Sequence, residues 1–158
     1  MSAQEVLEAA QKRGIMIATA ESCTAGLVAA ALTDIAGASA VFERGFVTYS
    51  NAAKTEMLGV PAALIARHGA VSEQVAAVMA LGALARSGAQ LSVSVTGIAG
   101  PGGSTHKPEG MVCFGTAMAG NARTETVQFG ALGRTEVRAA ASAHALALLH
   151  HRLEALSA

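Results

Sequence analysis

The length, composition and charge of the chain exclude several classes of protein. Its 158 residues suit one domain, which we expect to span residues 1–158, and 52% hydrophobic against 14% charged residues argue against intrinsic disorder and for a compact α/β body. The formal net charge is zero and the basic residues are scattered, so neither nucleic acid nor an anionic membrane is expected as the main partner.

The cysteines and the N-terminal residues indicate the compartment. Cys23 and Cys113 are too few for a disulfide framework in a chain of this size, so we expect both thiols to be reduced. The first residues lack the basic and apolar regions of a signal peptide, and the apolar run over residues 75–85 is shorter than the about 20 helical residues that a membrane span needs. We therefore expect a cytoplasmic protein.

The first half of the chain is predicted to alternate helices with short strands. Apolar residues at helical spacing, polar caps and closing glycines indicate the helices, whereas β-branched and aromatic runs indicate the strands. The elements are a helix over residues 2–13, a strand over 15–20, a helix over 24–35, a strand over 45–48, and a short helix that Ser50 or Asn51 caps and Gly59 and Pro61 close.

The second half continues this alternation. Its elements are helices over residues 61–67 and 72–86, strands over 91–96, 110–117 and 123–129 with a turn at Gly120-Asn121, and a last helix over 134–156. Strands and helices arranged in this order are typical of a sheet flanked by helices. The alanine-rich faces of the second and last helices leave room for a homo-oligomer.

The stretch Ala18–Gly26 follows an apolar strand and precedes a helix, so it is predicted to form the turn between them. The first N–H groups of a helix have no internal partner and carry the positive end of its dipole. Ser22 and Thr24 are therefore expected where an anion or a developing oxyanion is held. The alternative is that one of them is only an N-cap.

A glycine-rich loop follows the strand over residues 91–96. Consecutive amides without Cβ atoms can wrap a phosphate, and Ser104 can add a hydroxyl donor. Gly103 stands where a Walker A loop has its lysine, which disfavours triphosphate hydrolysis. The alternative is a tight turn without a ligand. The glycines of this candidate phosphate loop are Gly97, Gly100, Gly102 and Gly103.

Several basic residues are candidates to complete an anion site. Arg134 and Arg138 are four apart at the start of the last helix and so share a helical face, where they can clamp a phosphomonoester. The alternative is a solvated helix start, although cations there oppose the helix dipole. The other candidates are Arg44, Lys107 and Arg123.

Ser22 and Lys54 form the best pair for covalent chemistry. A serine hydroxyl is a weak nucleophile at neutral pH, and a lysine whose pKa is lowered by desolvation can remove its proton. Tyr49 can relay a proton or orient the substrate. The chain contains neither G-x-S-x-G nor S-x-x-K, so Ser50 remains the rival nucleophile to Ser22.

The histidines do not indicate a metal site. His144 and His151 share a helical face but lie two turns apart, too far to bind one metal together, and no H-E-x-x-H pattern is present. We therefore predict no metal, and the chemistry considered requires no cofactor.

Three stretches taken together resemble one family. They are ATAESCTAG at residues 18–26, FERGFVTYSN at residues 42–51 followed by Lys54, and VTGIAGPGGS at residues 95–104. In this order they are similar to the C-terminal domain family of the competence/damage-inducible protein CinA, over nearly the whole chain. The resemblance implies a three-layer α/β/α sandwich with a mixed, largely parallel central sheet. It also implies hydrolysis of the carboxamide of nicotinamide mononucleotide to nicotinate mononucleotide and ammonia, in pyridine nucleotide recycling.

By the same resemblance, Ser22, Tyr49 and Lys54 fall in the family's active-site stretches. Our hypothesis is that Lys54 deprotonates Ser22, helix-start amides hold the oxyanion and the glycine loop positions the phosphate. A water molecule that attacks with Lys54 as base would use the same residues. The alternatives are a non-catalytic module that binds a nucleotide or phosphate, and a Ser/Lys hydrolase of another amide.

The chain departs from the family pattern at two positions. Ala25-Gly26 stands where the family usually has Gly-Gly, and Leu132-Gly133-Arg134 stands where the last helix often begins with Gly-Asp-Arg. The first departure is expected to crowd the turn slightly. The second removes a carboxylate beside the expected phosphate clamp.

Overall fold

A five-stranded mixed sheet lies at the centre of the computed structural model, which describes residues 2–156. In chain order the strands are β1 (Ile17–Glu21), β2 (Phe42–Val47), β3 (Leu91–Gly97), β4 (Met111–Met118) and β5 (Asn121–Gln128). The helices are α1 (Ala3–Lys12), α2 (Leu27–Thr33), α3 (Asn51–Leu58), α4 (Ala62–His68), α5 (Glu73–Ala85) and α6 (Arg134–Glu154), with a 3₁₀ turn over Ala38–Ala40.

The strand order is β2-β1-β3-β4-β5. β1 pairs in parallel with β2 and β3, whereas β4 runs antiparallel to both β3 and β5. Four strands therefore point the same way and only β4 is reversed, which agrees with a mixed, largely parallel sheet. The β4–β5 hairpin turns at Ala119 and Gly120, whose φ angles of 52° and 77° suit a two-residue turn with both central residues left-handed.

Helices cover both faces of the sheet, so the three-layer α/β/α arrangement is confirmed. α1, α2 and α6 pack on one face around Ile17, Val93 and Phe114. α3, α4 and α5 pack on the other face around Ala18 and Ala20. Because successive residues of β1 point to opposite faces, both cores draw on the same strand.

The predicted elements are all present, with shifted ends. The helix expected over residues 24–35 begins only at Leu27, because residues 22–26 form a turn in which Gly26 has a φ of 101°. β2 begins at Phe42, earlier than expected, since Phe42 pairs with Ile17. No helix within residues 2–156 has the length and hydrophobicity needed to cross a membrane.

The parallel strands place the polar motifs at one edge. β1, β2 and β3 all end at this edge, where Ser22, Thr48 and Gly97 lie at or just beyond the strand ends. The crevice outside the carboxyl ends of parallel strands is where open α/β sheets bind ligands.

Candidate active site

A cleft of about 380 Å³ opens at the carboxyl ends of β1, β2 and β3. Its walls come from the turns after these strands, the α4–α5 loop and the first residue of α6. The lining residues are Ser22, Cys23, Tyr49, Asn51, Lys54, Ala70, Val71, Thr96, Gly97, Ile98, Ala99, Gly100, Pro101, Gly102, Gly103, Ser104 and Arg134. Three predicted site residues, Thr24, Arg44 and Arg138, do not line it.

The structure brings Lys54 and Ser22 together. The Lys54 amine donates to Ser22 Oγ at 3.1 Å and to the carbonyls of Thr48 and Tyr49, both at 3.2 Å. These contacts suit an ammonium with three donors. They suit equally a neutral amine that donates to both carbonyls and accepts the Ser22 proton.

Burial sets the protonation of this amine. Lys54 is only 1% exposed and Ser22 only 8% exposed. No carboxylate in the described part of the chain forms an ion pair with Lys54. Burial therefore lowers the pKa of Lys54, although the neighbouring Cys23 thiol opposes the shift. Such an amine is more readily available as a neutral base than an exposed lysine.

The start of α3 explains the position of Lys54. Ser50 is the N-cap of this helix, and its hydroxyl accepts from the amide of Ala53 at 3.0 Å. Lys54 is the fourth residue of the helix and points back under the carbonyl groups of Thr48 and Tyr49. Ser50 thus serves as a cap and lies outside the cleft lining, so of the two candidate serines it is Ser22 that contacts the amine.

The turn after β1 differs from the expectation that helix-start amides would be open to an oxyanion. The buried Glu21 carboxylate accepts from the amides of Val28 and Ala29 at 2.9 and 3.0 Å. A side chain of the protein therefore already occupies the N-terminus of α2. The amides of Cys23 and Thr24, which directly follow Ser22, are not bound by Glu21 and are the remaining candidates in this turn.

Arg138 and Thr24 support the turn from outside the cleft. The Arg138 guanidinium donates to the carbonyls of Cys23 and Thr24 at 2.9 and 3.4 Å. The Thr24 hydroxyl is buried and has no hydrogen-bond partner among residues 2–156. The expected clamp of Arg134 with Arg138 does not form, because the turn carbonyls hold Arg138 while only Arg134 reaches the cleft.

Arg134 joins two sides of the cleft. Its guanidinium donates to the carbonyl of Gly100 and to Tyr49 Oη, both at 2.7 Å. Tyr49 is 58% exposed, so this hydrogen bond fixes a side chain that has little packing of its own. The contact links the turn after β2 to the glycine loop.

The glycine loop is held by charged residues that the sequence analysis did not assign to the site. Glu109 accepts from the amides of Gly102 at 2.6 Å and Gly133 at 3.2 Å. Gly100 has a φ of 87°, which favours glycine, whereas a Cβ there would meet only the movable end of the Glu109 side chain. One amide of the expected phosphate cradle is therefore already occupied.

Lys107 and Arg44 bind backbone carbonyls elsewhere. The Lys107 amine donates to the carbonyls of His68 and Val71, which ties the glycine loop to the α4–α5 connection. Arg44 pairs with Glu43 and donates to the Arg86 carbonyl at 3.2 Å. The expectation that Arg44 would complete the anion site is not met, because its strand position directs it to the end of α5.

Sequence reasoning missed three further cleft residues. Thr96 is buried and donates to the Ala70 carbonyl at 2.9 Å, and Asn51 lies at the start of α3. Cys23 lines the cleft beside Ser22, and burial raises the pKa of its thiol to about 11, so the thiol is protonated at neutral pH. The signal available was position, since all three lie at the ends of predicted strands or helices.

Comparisons with known proteins agree on the family. The family model of the CinA C-terminal domain matches residues 1–153. A CinA-like protein of Mycolicibacterium vanbaalenii is 55% identical over 141 residues, 89% of this chain and 33% of its own length. The nicotinamide-nucleotide amidohydrolase PncC of Escherichia coli K12 is 52% identical over 148 residues, 92% of this chain and 89% of its own length.

Solved structures have the same fold. The competence/damage inducible protein CihA of Agrobacterium tumefaciens has a TM-score of 0.92 and 50% identity, with 96% of this chain and 93% of that chain covered. The chain spans about a third of the length of the first curated relatives that it matches, all named as CinA-like or competence-damage inducible proteins. With the family model matched over 153 of its residues, the chain belongs to the CinA C-terminal domain family.

Proposed function

We propose that this chain is an amidohydrolase that acts in the cytoplasm on nicotinamide mononucleotide and releases nicotinate mononucleotide and ammonia. The observation that carries the proposal is the contact of 3.1 Å between the buried Lys54 amine and Ser22 Oγ inside the cleft. The Escherichia coli relative is covered over 89% of its own length and is named a nicotinamide-nucleotide amidohydrolase. This name supplies the substrate class.

Lys54 and Ser22 perform the first half of the reaction. The neutral Lys54 amine accepts the Ser22 proton while Ser22 Oγ attacks the carboxamide carbon. The carbonyl oxygen takes the negative charge, and we assign its stabilisation to the Cys23 amide, since Cys23 lines the cleft beside Ser22. The C–N bond then breaks, and the Lys54 ammonium gives its proton to the leaving ammonia, which leaves an ester on Ser22.

Water completes the cycle. Lys54, neutral again, removes a proton from a water molecule that attacks the ester carbon. The Ser22–acyl bond breaks, Ser22 regains its proton from Lys54, and the acid product ionises to nicotinate. The net reaction consumes one amide and one water, and no step requires a metal or an organic cofactor.

The opposite wall of the cleft is assigned to the phosphate. Arg134, the Gly103 amide and the Ser104 hydroxyl are the donors there that the structure leaves near the opening. A guanidinium binds phosphate through two parallel hydrogen bonds. Arg134 would exchange its contacts with Tyr49 and Gly100 for this role, so substrate binding is expected to move Tyr49.

Ammonia release from nicotinamide mononucleotide tests the activity. Purified protein is expected to form ammonia and nicotinate mononucleotide in equal amounts, whereas Ser22→Ala and Lys54→Met abolish both. Arg44→Gln, an exposed change outside the cleft, serves as the matched control and retains the wild-type rate. Saturable binding of the nucleotide without turnover would favour the regulatory module instead. Turnover of amides that lack a phosphate at an equal rate would favour a hydrolase of another amide.

A further inference from the structure

A second cavity of about 230 Å³ lies between β4, β5 and the C-terminal half of α6. None of the residues that line it lines the candidate active site. Phe114 and Leu148 form an apolar wall, whereas the polar lining includes Thr116, Arg123 and Arg152. The cavity is therefore separate from the candidate active site, and in the described part of the chain its charged lining consists of two arginines and one glutamate.

Arg152 is buried without a compensating charge. Arg152 is only 8% exposed. Its Nη1 donates to Thr116 Oγ1 at 2.9 Å and to the Thr116 carbonyl at 3.4 Å. Within residues 2–156 no carboxylate forms an ion pair with it. A guanidinium held in a cavity without a carboxylate partner is most readily satisfied by an anion that enters that cavity. An arginine does not become neutral by losing its proton.

The other charged groups of the cavity do not neutralise Arg152. Arg123 lies on β5 opposite Thr116, and its positive charge adds to the effect of burial, which lowers the pKa of Arg152. His151 also lines the cavity. Glu125 is the one acid in the lining, and its carboxylate is engaged with His144 at 2.6 Å. Among the described residues, the guanidinium groups of Arg123 and Arg152 thus face this cavity, and its one carboxylate, Glu125, is bound to His144.

We propose that this cavity binds a small oxyanion, either a phosphate group or a carboxylate group, between Arg152 and Arg123. The Nε and Nη2 groups of Arg152 have no acceptor in the part of the chain described, so they are available as a pair of donors. Thr116 Oγ1 accepts from Arg152 and can donate its own proton to the anion. The volume suits an inorganic anion or one end of a small metabolite and is below that of typical sites for larger ligands.

Titration with inorganic phosphate tests the site. Because the candidate active site also contains an arginine, the titration uses Arg134→Gln as the background, in which the second cavity is unchanged. The Arg134→Gln variant is expected to show saturable phosphate binding in isothermal titration calorimetry. Adding Arg152→Met is expected to weaken binding by about tenfold or more, the effect of losing charged hydrogen bonds. Adding Arg44→Gln, the matched control, leaves the affinity unchanged.

A second variant keeps the test decisive if Arg152→Met fails to fold. Arg123 is exposed, so Arg123→Gln leaves the core intact and is still expected to weaken phosphate binding. A parallel titration with acetate separates the two sources of the anion: tighter phosphate binding identifies a phosphoryl ligand, and tighter acetate binding identifies a carboxylate. No saturable binding of either anion, or equal affinity in all variants, overturns the proposal.

Discussion

Two cations are buried in this fold, and burial has opposite consequences for them. Lys54 is 1% exposed and Arg152 is 8% exposed, and within the described chain neither has a carboxylate partner. Burial lowers the pKa of both groups. A lysine with a lowered pKa loses its proton more readily, whereas a guanidinium keeps its charge across the pH range of a folded protein.

The surroundings of the two side chains fit this difference. Lys54 contacts two carbonyls and the Ser22 hydroxyl, which an amine satisfies in either protonation state. Among residues 2–156, Arg152 donates hydrogen bonds to Thr116 and lies near a second guanidinium, Arg123, without a carboxylate to balance its charge. The same burial thus fits the base that we propose in one cavity and the anion site that we propose in the other.

The largest expected effect comes from giving Lys54 the chemistry of Arg152. Lys54→Arg keeps a positive charge and donors for the two carbonyls but cannot accept the Ser22 proton. We expect kcat for ammonia release to fall by about 10⁴-fold, as it does when a catalytic base is removed from a hydrolase. Stopped ammonia assays measure the rate, and circular dichroism checks the fold. A folded Lys54→Arg protein that retains the wild-type rate would show that Lys54 is not the base.

The pH dependence of the rate separates a lysine base from an arginine, because a lysine amine can lose its proton in the pH range of the assay and a guanidinium cannot. The base must be neutral, so kcat/KM should rise about tenfold per pH unit and level off at the folded pKa of Lys54. That pKa lies below the ordinary value of 10.5. The rate is measured from acidic to alkaline pH with nicotinamide mononucleotide, so that a strongly lowered pKa is also covered. A flat profile over this range would contradict the assignment.

The lowered pKa of Lys54 also affects stability. Between the folded pKa of Lys54 and its unfolded value near 10.5, the unfolded chain binds more protons than the folded one. The free energy of unfolding therefore rises with pH across this window, and this contribution is lost as pH falls through the folded pKa. Urea unfolding of wild type and Lys54→Met over this range should show the rise only in the wild type. Parallel pH curves for the two proteins would argue against it.

A third cation, Arg134, is exposed at the cleft, where it donates to the Gly100 carbonyl and to Tyr49 Oη. If it binds the phosphate, Arg134→Gln should lower kcat/KM for nicotinamide mononucleotide by about tenfold or more, mainly through KM. Nicotinamide riboside, which lacks the phosphate, is the matched substrate control and should respond far less. Because Arg134 also holds Tyr49, Tyr49→Phe separates the two roles. An equal loss for both substrates would assign Arg134 to holding Tyr49 alone.

The order of helices and strands was well predicted from the sequence. Period-two and helical patterns depend on which residues are apolar, and packing in the structure follows the same property. The pairing of Ser22 with Lys54 was predicted from the chemistry of a hydroxyl and a desolvated amine, and the structure brings the two together because β1 and β2 are parallel neighbours that end at one edge of the sheet.

The rest of the site could not be predicted, because no sequence pattern shows which groups of the chain itself bind the backbone amides and guanidinium groups expected to bind a ligand. Glu21 and Glu109 occupy backbone amides that were expected to bind a ligand. Arg138 shares a helical face with Arg134 but meets the carbonyl of Cys23 instead of the cleft. Spacing specifies which side chains share a face, but it does not say which acceptor lies opposite that face.

The turn that carries Ser22 offers the smallest expected effect. Ala25 has a φ of 46°, a left-handed conformation that costs a residue with a Cβ about 1–2 kcal/mol. Ala25→Gly removes this strain but adds freedom to the unfolded chain, so we expect a net stabilisation of about 0.5–1 kcal/mol in urea unfolding. Ala30→Gly, inside α2, is the matched control and should destabilise by about 1 kcal/mol. If Ala25→Gly raises and Ala30→Gly lowers the free energy of unfolding, the strain lies in the turn. Equal losses of stability in both variants would exclude this strain.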